Sequence, residues 1–247
     1  MPSSPLTVLD VGNSALKIVV FDPSGKVVEA DRRTFAAPIE EALALLRPPL
    51  VAVSVNADHL ERVRRALGGP LPAVGTDLPV PLENRTARPG ETGLDRLCAA
   101  LAAHARARGP AVALGVGTAI TADAVGRTGA FLGGSIAPGL RAAAAGLREA
   151  APALPPPDLA EDDPVPSPGR TTAEALRAGF LLGFAGLADR LAGEAAAAAR
   201  GRGRGRVPVF LHGGDAGALA PLLRTRCTAA PHLVAEGARI AWLRSRS

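Results

Sequence analysis

Residues 6–22 read LTVLDVGNSALKIVVFD, and this stretch decides the fold. Two apolar β runs, Leu6–Val11 and Ala15–Phe21, flank Gly12-Asn13. Gly and Asn tolerate the positive φ of a tight hairpin turn, so the segment predicts an antiparallel pair. Asp10 ends the first run, and Ser14 and Lys17 follow the turn. A turn without a bulky side chain exposes backbone N–H groups to an anion. A hydroxyl and an ammonium add charge-assisted hydrogen bonds, and a carboxylate can hold hydrated Mg²⁺. The equipment suits the phosphate tail of a nucleotide, and the same residues also fit an ordinary surface hairpin.

A second copy of the pattern lies about a hundred residues on. Residues 111–125 read AVALGVGTAITADAV, and Leu114-Gly115-Val116-Gly117-Thr118 aligns with Leu9-Asp10-Val11-Gly12-Asn13. After each hairpin comes a third strand, 26–35 in the first case and 131–137 in the second, and then a helical pattern. Repetition of this kind predicts two like α/β domains, here cut at 109/110 before Pro110, with a phosphate-facing hairpin in each and a nucleotide cleft between them.

Other elements follow from periodicity and punctuation. Helical spacing covers 39–46, and Leu50–Val55 is a buried strand. Asp58 caps a helix that runs to Leu67, and a short strand is expected at 73–75. An Ala/Leu helix follows Gly93 and ends near Gly109. Pro138 opens a helix. Thr171 or Thr172 caps a long helix reaching Ala199, after a Pro- and Asp-rich loop at 152–168 expected to be mobile. Strand 207–211 opens onto His212-Gly213-Gly214, and a last helix covers 233–243.

Composition narrows the function classes. Hydrophobic residues make up 47% and aromatics 3%, so the core must be built from Ala, Leu and Val. The net charge of +5 is concentrated in Arg200–Arg206 and Arg244–Arg246. Neither run interleaves aromatic residues for base stacking, so both read as solvated surface and nucleic acid is not expected as a partner. Cys98 and Cys227 form no CxxC pair, and the four histidines show no ligand spacing, so they read as ordinary surface or capped residues. The longest apolar stretch is too short to span a bilayer and no signal pattern opens the chain, which gives a cytoplasmic expectation.

Six motifs occur in order: DVGNSALK (10–17), GLDR (93–96), GTAITAD (117–123), GGSIAPGL (133–140), GRTTAEALRAG (169–179) and HGG (212–214). Together they resemble the type III pantothenate kinases, nearly end to end. The resemblance implies duplicated ribonuclease H-like domains, the actin- and hexokinase-like ATPase fold. It implies transfer of the γ-phosphoryl group of ATP to pantothenate, the first step of coenzyme A biosynthesis, with Mg²⁺, a monovalent cation (K⁺ or NH₄⁺) and a homodimer.

Residue roles come with the resemblance. Asp10, Val11, Gly12, Asn13, Ser14, Ala15, Leu16 and Lys17 match the first phosphate motif, with Asp10 orienting Mg²⁺ through water. Gly117 and Thr118 match ATP contacts. Gly93, Leu94, Asp95 and Arg96 match the substrate motif, Asp95 as general base and Arg96 on pantothenate, and Thr172 matches a further substrate contact. Two positions depart from the pattern. The family carries Asp as a monovalent-cation ligand where this chain has Gly115, and Tyr against pantothenate where it has Thr86. Low K⁺ dependence is therefore expected, to be raised by Gly115→Asp, with Asp123 a candidate substitute for the missing carboxylate. Two other readings remain: a kinase of another small alcohol, and a weakened nucleotide-binding homologue acting as an accessory factor.

Overall fold

Strands β1 (Leu6–Val11) and β2 (Ala15–Phe21) pair antiparallel in the computed structural model, which describes residues 4–44, 46–159 and 164–246. The chain divides into two compact units, Met1–Arg106 with His232–Ser247, and Ala107–Pro231. The expected cut at 109/110 thus differs at the C-terminus, because helix α7 (Leu233–Arg244) packs on β1 and β4 of the first unit. That helix carries no motif that would assign it to either half.

In the first unit, β3 (Val27–Thr34) adds antiparallel to β2, and β4 (Leu50–Ser54) adds parallel to β1, for an order β3-β2-β1-β4. The strand expected at 73–75 is reduced to isolated parallel bridges, Ala73 with Ala52 in the position of a fifth strand and Val74 with Leu78. Leu9, Val11, Leu16, Ile18, Leu50 and Ala52 line one face of the sheet. Helices α1 (Glu40–Ala44) and α2 (Ala57–Leu67) cover that face with Leu43, Leu60 and Val63. Each such aliphatic side chain contributes roughly 2 kcal/mol by leaving water. The alternate residues of β1 and β4 point to the face bearing α7. There α7 meets α3 (Leu94–Ala107) backbone to backbone, since a Cβ at Gly237 would collide with the Cys98 carbonyl.

The second unit repeats the plan: β5 (Ala111–Val116), β6 (Ala119–Val125), β7 (Phe131–Pro138), β8 (Val209–His212) and β9 (Cys227–Ala229) in the order β7-β6-β5-β8-β9. Antiparallel and parallel pairings fall where they do in the first unit. Its core lies between the sheet and α4 (Leu140–Ala150) and α5 (Thr172–Arg200). Ala185, Ala188, Ala192, Ala195 and Ala199 of α5 face Val112, Leu114, Ile120 and Ala122, and these short side chains let helix and sheet approach closely. The order of both sheets, with the repeated hairpins, is that of duplicated ribonuclease H-like domains.

Several local expectations are corrected. Gly12 and Asn13 do not adopt positive φ. The loop between the strands is Gly12-Asn13-Ser14 and closes with the Gly12 N–H on the Ala15 carbonyl, which relieves the tight two-residue turn that positive φ would serve. Gly12 is kept small instead by the Ala15 carbonyl, 3.2 Å from where a Cβ would stand. Asn56, not Asp58, caps α2, its side chain accepting from the His59 N–H. Pro138 ends β7 and Gly139 precedes α4. Thr171 caps α5 in a reciprocal box with Glu174. Short helix α6 (Ala216–Leu219) and β9 carry no periodicity and were not expected. Residues 160–163 of the Pro- and Asp-rich loop lie outside the described residues. Among the described residues no helix is long and apolar enough to cross a membrane.

Candidate active site

Asp10 and Lys17 stand opposite each other on the last rungs of the first hairpin. Lys17 Nζ donates to Asp10 Oδ2 at 2.8 Å. Asp10 is only 8% exposed, so this ion pair is held in a setting where charges act more strongly than in water. Just beyond lies the turn Gly12-Asn13-Ser14. Val11, Ala15 and Leu16 of the same motif turn their side chains into the core, so only their backbone can meet a ligand.

Asp95 enters from the start of α3. Its Oδ1 accepts the Arg96 backbone N–H at 2.8 Å. Gly93 makes room for that carboxylate, because a Cβ there would lie 2.7 Å from Asp95 Oδ1. Leu94 anchors the helix start by packing on Gly75, whose φ of +93° and lack of side chain both serve the fit. Every residue of GLDR up to Asp95 therefore has a geometric task, and the task is to present one carboxylate.

Burial pushes the Asp95 carboxyl above the usual carboxylate range, against the lowering pull of the Arg96 N–H, with the negative charge of Asp10 raising it further and the charges of Arg96 and Lys17 lowering it. Asp95, Asp10 and Lys17 thus form one electrostatic group within the first unit. The thiol of Cys98, one helical turn on, is also pushed up, by burial first and then by Asp10 and Asp95, and stays protonated.

The second hairpin has no such group. Gly115 faces Thr121 on β6 and His212 on β8, the register row that corresponds to Lys17–Asp10–Val53. A Cβ on Gly115 would lie 2.7 Å from Thr121 Oγ1 and 3.1 Å from the His212 ring. Gly117 and Thr118 form the turn, under which Gly139 fits so closely that a Cβ would strike the Gly117 carbonyl. The 212–214 motif joins this turn. Gly213, at φ +108°, passes against the Val116 carbonyl, Asp215 donates its N–H to the same carbonyl, and Arg141 Nε bonds Asp215 Oδ1 at 3.0 Å. Thr172, the first residue of α5, is exposed and stands on a different element of the same unit.

The donor sets separate the two expected ions. Mg²⁺ keeps most of its waters and takes one or two carboxylates with substrate phosphates. Asp10, with one oxygen given to Lys17, fits that habit, and no cluster of three or more His, Cys, Asp or Glu exists among the described residues. Gly115 itself brings no carboxylate to a monovalent cation, and among the described residues the atoms nearest its missing side chain are Thr121 Oγ1 and the His212 ring. Asp123 is no substitute at that position: its carboxylate lies over Gly134, toward β7 and away from β5. Thr86, the residue that departs from the family pattern, turns its hydroxyl onto Asn84 Oδ1 at 2.9 Å, inside the 84–92 loop.

Two residues escaped the sequence reading. Asn56 and His59, at the start of α2, reach the first turn: Asn56 Nδ2 donates to Asn13 Oδ1 at 3.3 Å, and His59 Nδ1 lies 3.0 Å from the Gly12 carbonyl. Their only sequence signal is a helix start following a β strand that runs parallel to β1.

Comparison with known proteins gives the family and the fold. A family model described as type III pantothenate kinase matches residues 6–194. Type III pantothenate kinase of Alkalilimnicola ehrlichii is 37% identical over 244 residues, covering 93% of this chain and 94% of the relative. That of Oleidesulfovibrio alaskensis is 32% identical over 265 residues, covering 99% and 98%. Among solved structures, a conserved Campylobacter jejuni protein assigned to the Baf family of transcriptional activators aligns with TM-score 0.65 at 18% identity, over 97% of this chain and 98% of that one. Component A of (R)-2-hydroxyglutaryl-CoA dehydratase from Acidaminococcus fermentans aligns with TM-score 0.58 at 15% identity, over 99% and 100%. At such identities these structures speak for the fold alone, the actin- and hexokinase-like ATPase fold. By the match of the family model and of near-full-length relatives, the chain belongs to the type III pantothenate kinase family.

Proposed function

We propose that the chain phosphorylates pantothenate with ATP, giving 4′-phosphopantothenate and ADP, through the residues gathered at the first hairpin. The observation that carries this reading is the partly buried Asp95 carboxylate, within electrostatic reach of the Asp10–Lys17 pair. A primary alcohol attacks phosphorus well only as its proton leaves. Asp95, made more basic by burial, accepts that proton as the new O–P bond forms and the bond to the ADP oxygen breaks. Lys17 places a positive charge where phosphate oxygens gather charge, and the backbone of the 12–14 turn adds N–H donors. Asp10 would hold Mg²⁺, which when bound neutralises the phosphate tail. Gly117 and Thr118 are assigned to ATP, and Arg96 and Thr172 to pantothenate. With Gly115 under the His212 ring, the reaction proceeds without a bound K⁺ or NH₄⁺. A homodimer, implied by the family likeness, is tested by sedimentation.

Pantothenate-dependent ADP release, measured with and without K⁺ and with the product identified by mass, tests the assignment. Turnover in both buffers supports it. Turnover only with another alcohol would move the substrate, a change that the loss of a ring at Thr86 makes the first to look for. Nucleotide binding with no turnover on any alcohol would leave the accessory role.

A further inference from the structure

The first turn is held from outside by a layer the reaction itself does not require. His59 Nδ1 lies 3.0 Å from the Gly12 carbonyl, and a carbonyl oxygen only accepts, so this ring nitrogen carries the hydrogen. Phe35 stacks on the imidazole with ring centroids 3.8 Å apart and planes 21° from parallel. The Phe35 N–H in turn donates to the Ser14 carbonyl, and Arg62 bonds the Phe35 carbonyl at 2.8 Å. Asn56 caps α2 by accepting the His59 N–H and holds the Asn13 side chain with its amide. One helix start therefore grips two residues of the turn, Gly12 and Asn13.

The grip fixes a direction. The Gly12–Asn13 peptide is trans, so its C=O and N–H point opposite ways. With the carbonyl committed to His59, the Asn13 N–H is turned away from α2. Gly12 spends its own N–H on Ala15, whereas among the described residues the Asn13 N–H has no protein acceptor. A hydrogen bond accepted at the carbonyl also polarises the peptide and strengthens its N–H as a donor.

We infer that His59, backed by Phe35 and Asn56, is a positioning residue that aims the Asn13 N–H at a phosphate oxygen of the nucleotide. The inference rests on the reading of the 12–14 turn as phosphate-binding, and the experiment separates the two. Asn13 amide shifts are recorded in ¹⁵N-labelled enzyme with and without a non-hydrolysable ATP analogue, for the wild type, His59→Ala, His59→Gln and Phe35→Leu, alongside steady-state kinetics. The wild-type Asn13 amide proton should move downfield on binding. His59→Ala should lose most of that movement and raise KM for ATP about tenfold, a loss of roughly 1.4 kcal/mol, with KM for pantothenate within twofold. His59→Gln, whose amide can still donate to Gly12, should recover most of both, and Phe35→Leu should fall between. A wild-type Asn13 shift that His59→Ala leaves intact, with KM for ATP unchanged, overturns the role of His59 alone. The same holds if Gln fails to rescue while thermal stability is restored. A wild-type analogue complex in which the Asn13 amide does not move overturns the phosphate reading of the turn and the inference with it. If His59→Ala does not fold, the Gln and Leu variants decide by the same criteria.

Discussion

The two hairpins share a backbone plan and differ in one row of side chains. In the first unit the row across the strands is Lys17–Asp10–Val53; in the second it is Thr121–Gly115–His212. The first row is charged next to its turn and apolar on the parallel strand. The second is empty at the centre and polar on the parallel strand. Even the bonds behind the turns correspond, with the N–H groups of Val55 and Asp215 donating to the Val11 and Val116 carbonyls. The two turns thus present similar backbone, but the first has its ion pair on the hairpin strands themselves, while the pair at the second, Arg141–Asp215, comes from α4 and from the residue before α6. A duplicated fold can carry a charged pair on its strands in one copy and supply one from other elements in the second.

Exchanging the rows should give the largest effect. Asp10→Ala with Lys17→Thr, which makes the first row resemble the second, should lower kcat/KM by about 10³ or more, the scale of losing phosphate electrostatics. Turnover within tenfold of wild type would show that the charged row is dispensable. The reverse exchange concerns the cation. Gly115→Asp alone meets Thr121 and His212, so it should lower the melting temperature without installing K⁺ dependence. Gly115→Asp with His212→Ala opens the space, and K⁺ should then activate the enzyme severalfold over Na⁺ and raise its melting temperature. This refines the sequence-based expectation for the single substitution. An equal response to K⁺ and Na⁺ in the double variant would separate Gly115 from cation dependence. The smallest effects divide neighbouring threonines. Thr171→Val should cost about 1 kcal/mol of stability through its cap, with kinetics unchanged. Thr172→Val should leave stability alone and raise KM for pantothenate.

Much of this was legible in the residues. The repeat, the hairpins and the Ala-rich core follow from apolar periodicity and from glycine placement, which local sterics fix. The GLDR motif pointed to Asp95, and the structure supplies the reason for its order: Gly93 clears the carboxylate and Leu94 docks on Gly75. What stayed hidden depends on contacts distant in sequence. His59 reads as an ordinary histidine until β4 brings α2 beside the turn, 47 positions from Gly12. Helix α7 is an apolar helix that either unit could bury. The His212 ring over Gly115 appears only once β5 and β8 are in register.

The central claim, that Asp95 receives the proton, is tested most directly by Asp95→Asn. The amide cannot accept it, so kcat should fall about 10³-fold while affinity for a non-hydrolysable ATP analogue stays within threefold. Burial holds the Asp95 pKa above its unfolded value, so the ionised carboxylate weakens the fold at neutral pH. The variant should therefore melt higher than wild type at pH 7. That advantage should shrink as pH falls from the raised pKa to the ordinary carboxylate range, and wild-type activity should decline over the same window. A variant that turns over pantothenate at near the wild-type rate would contradict the account.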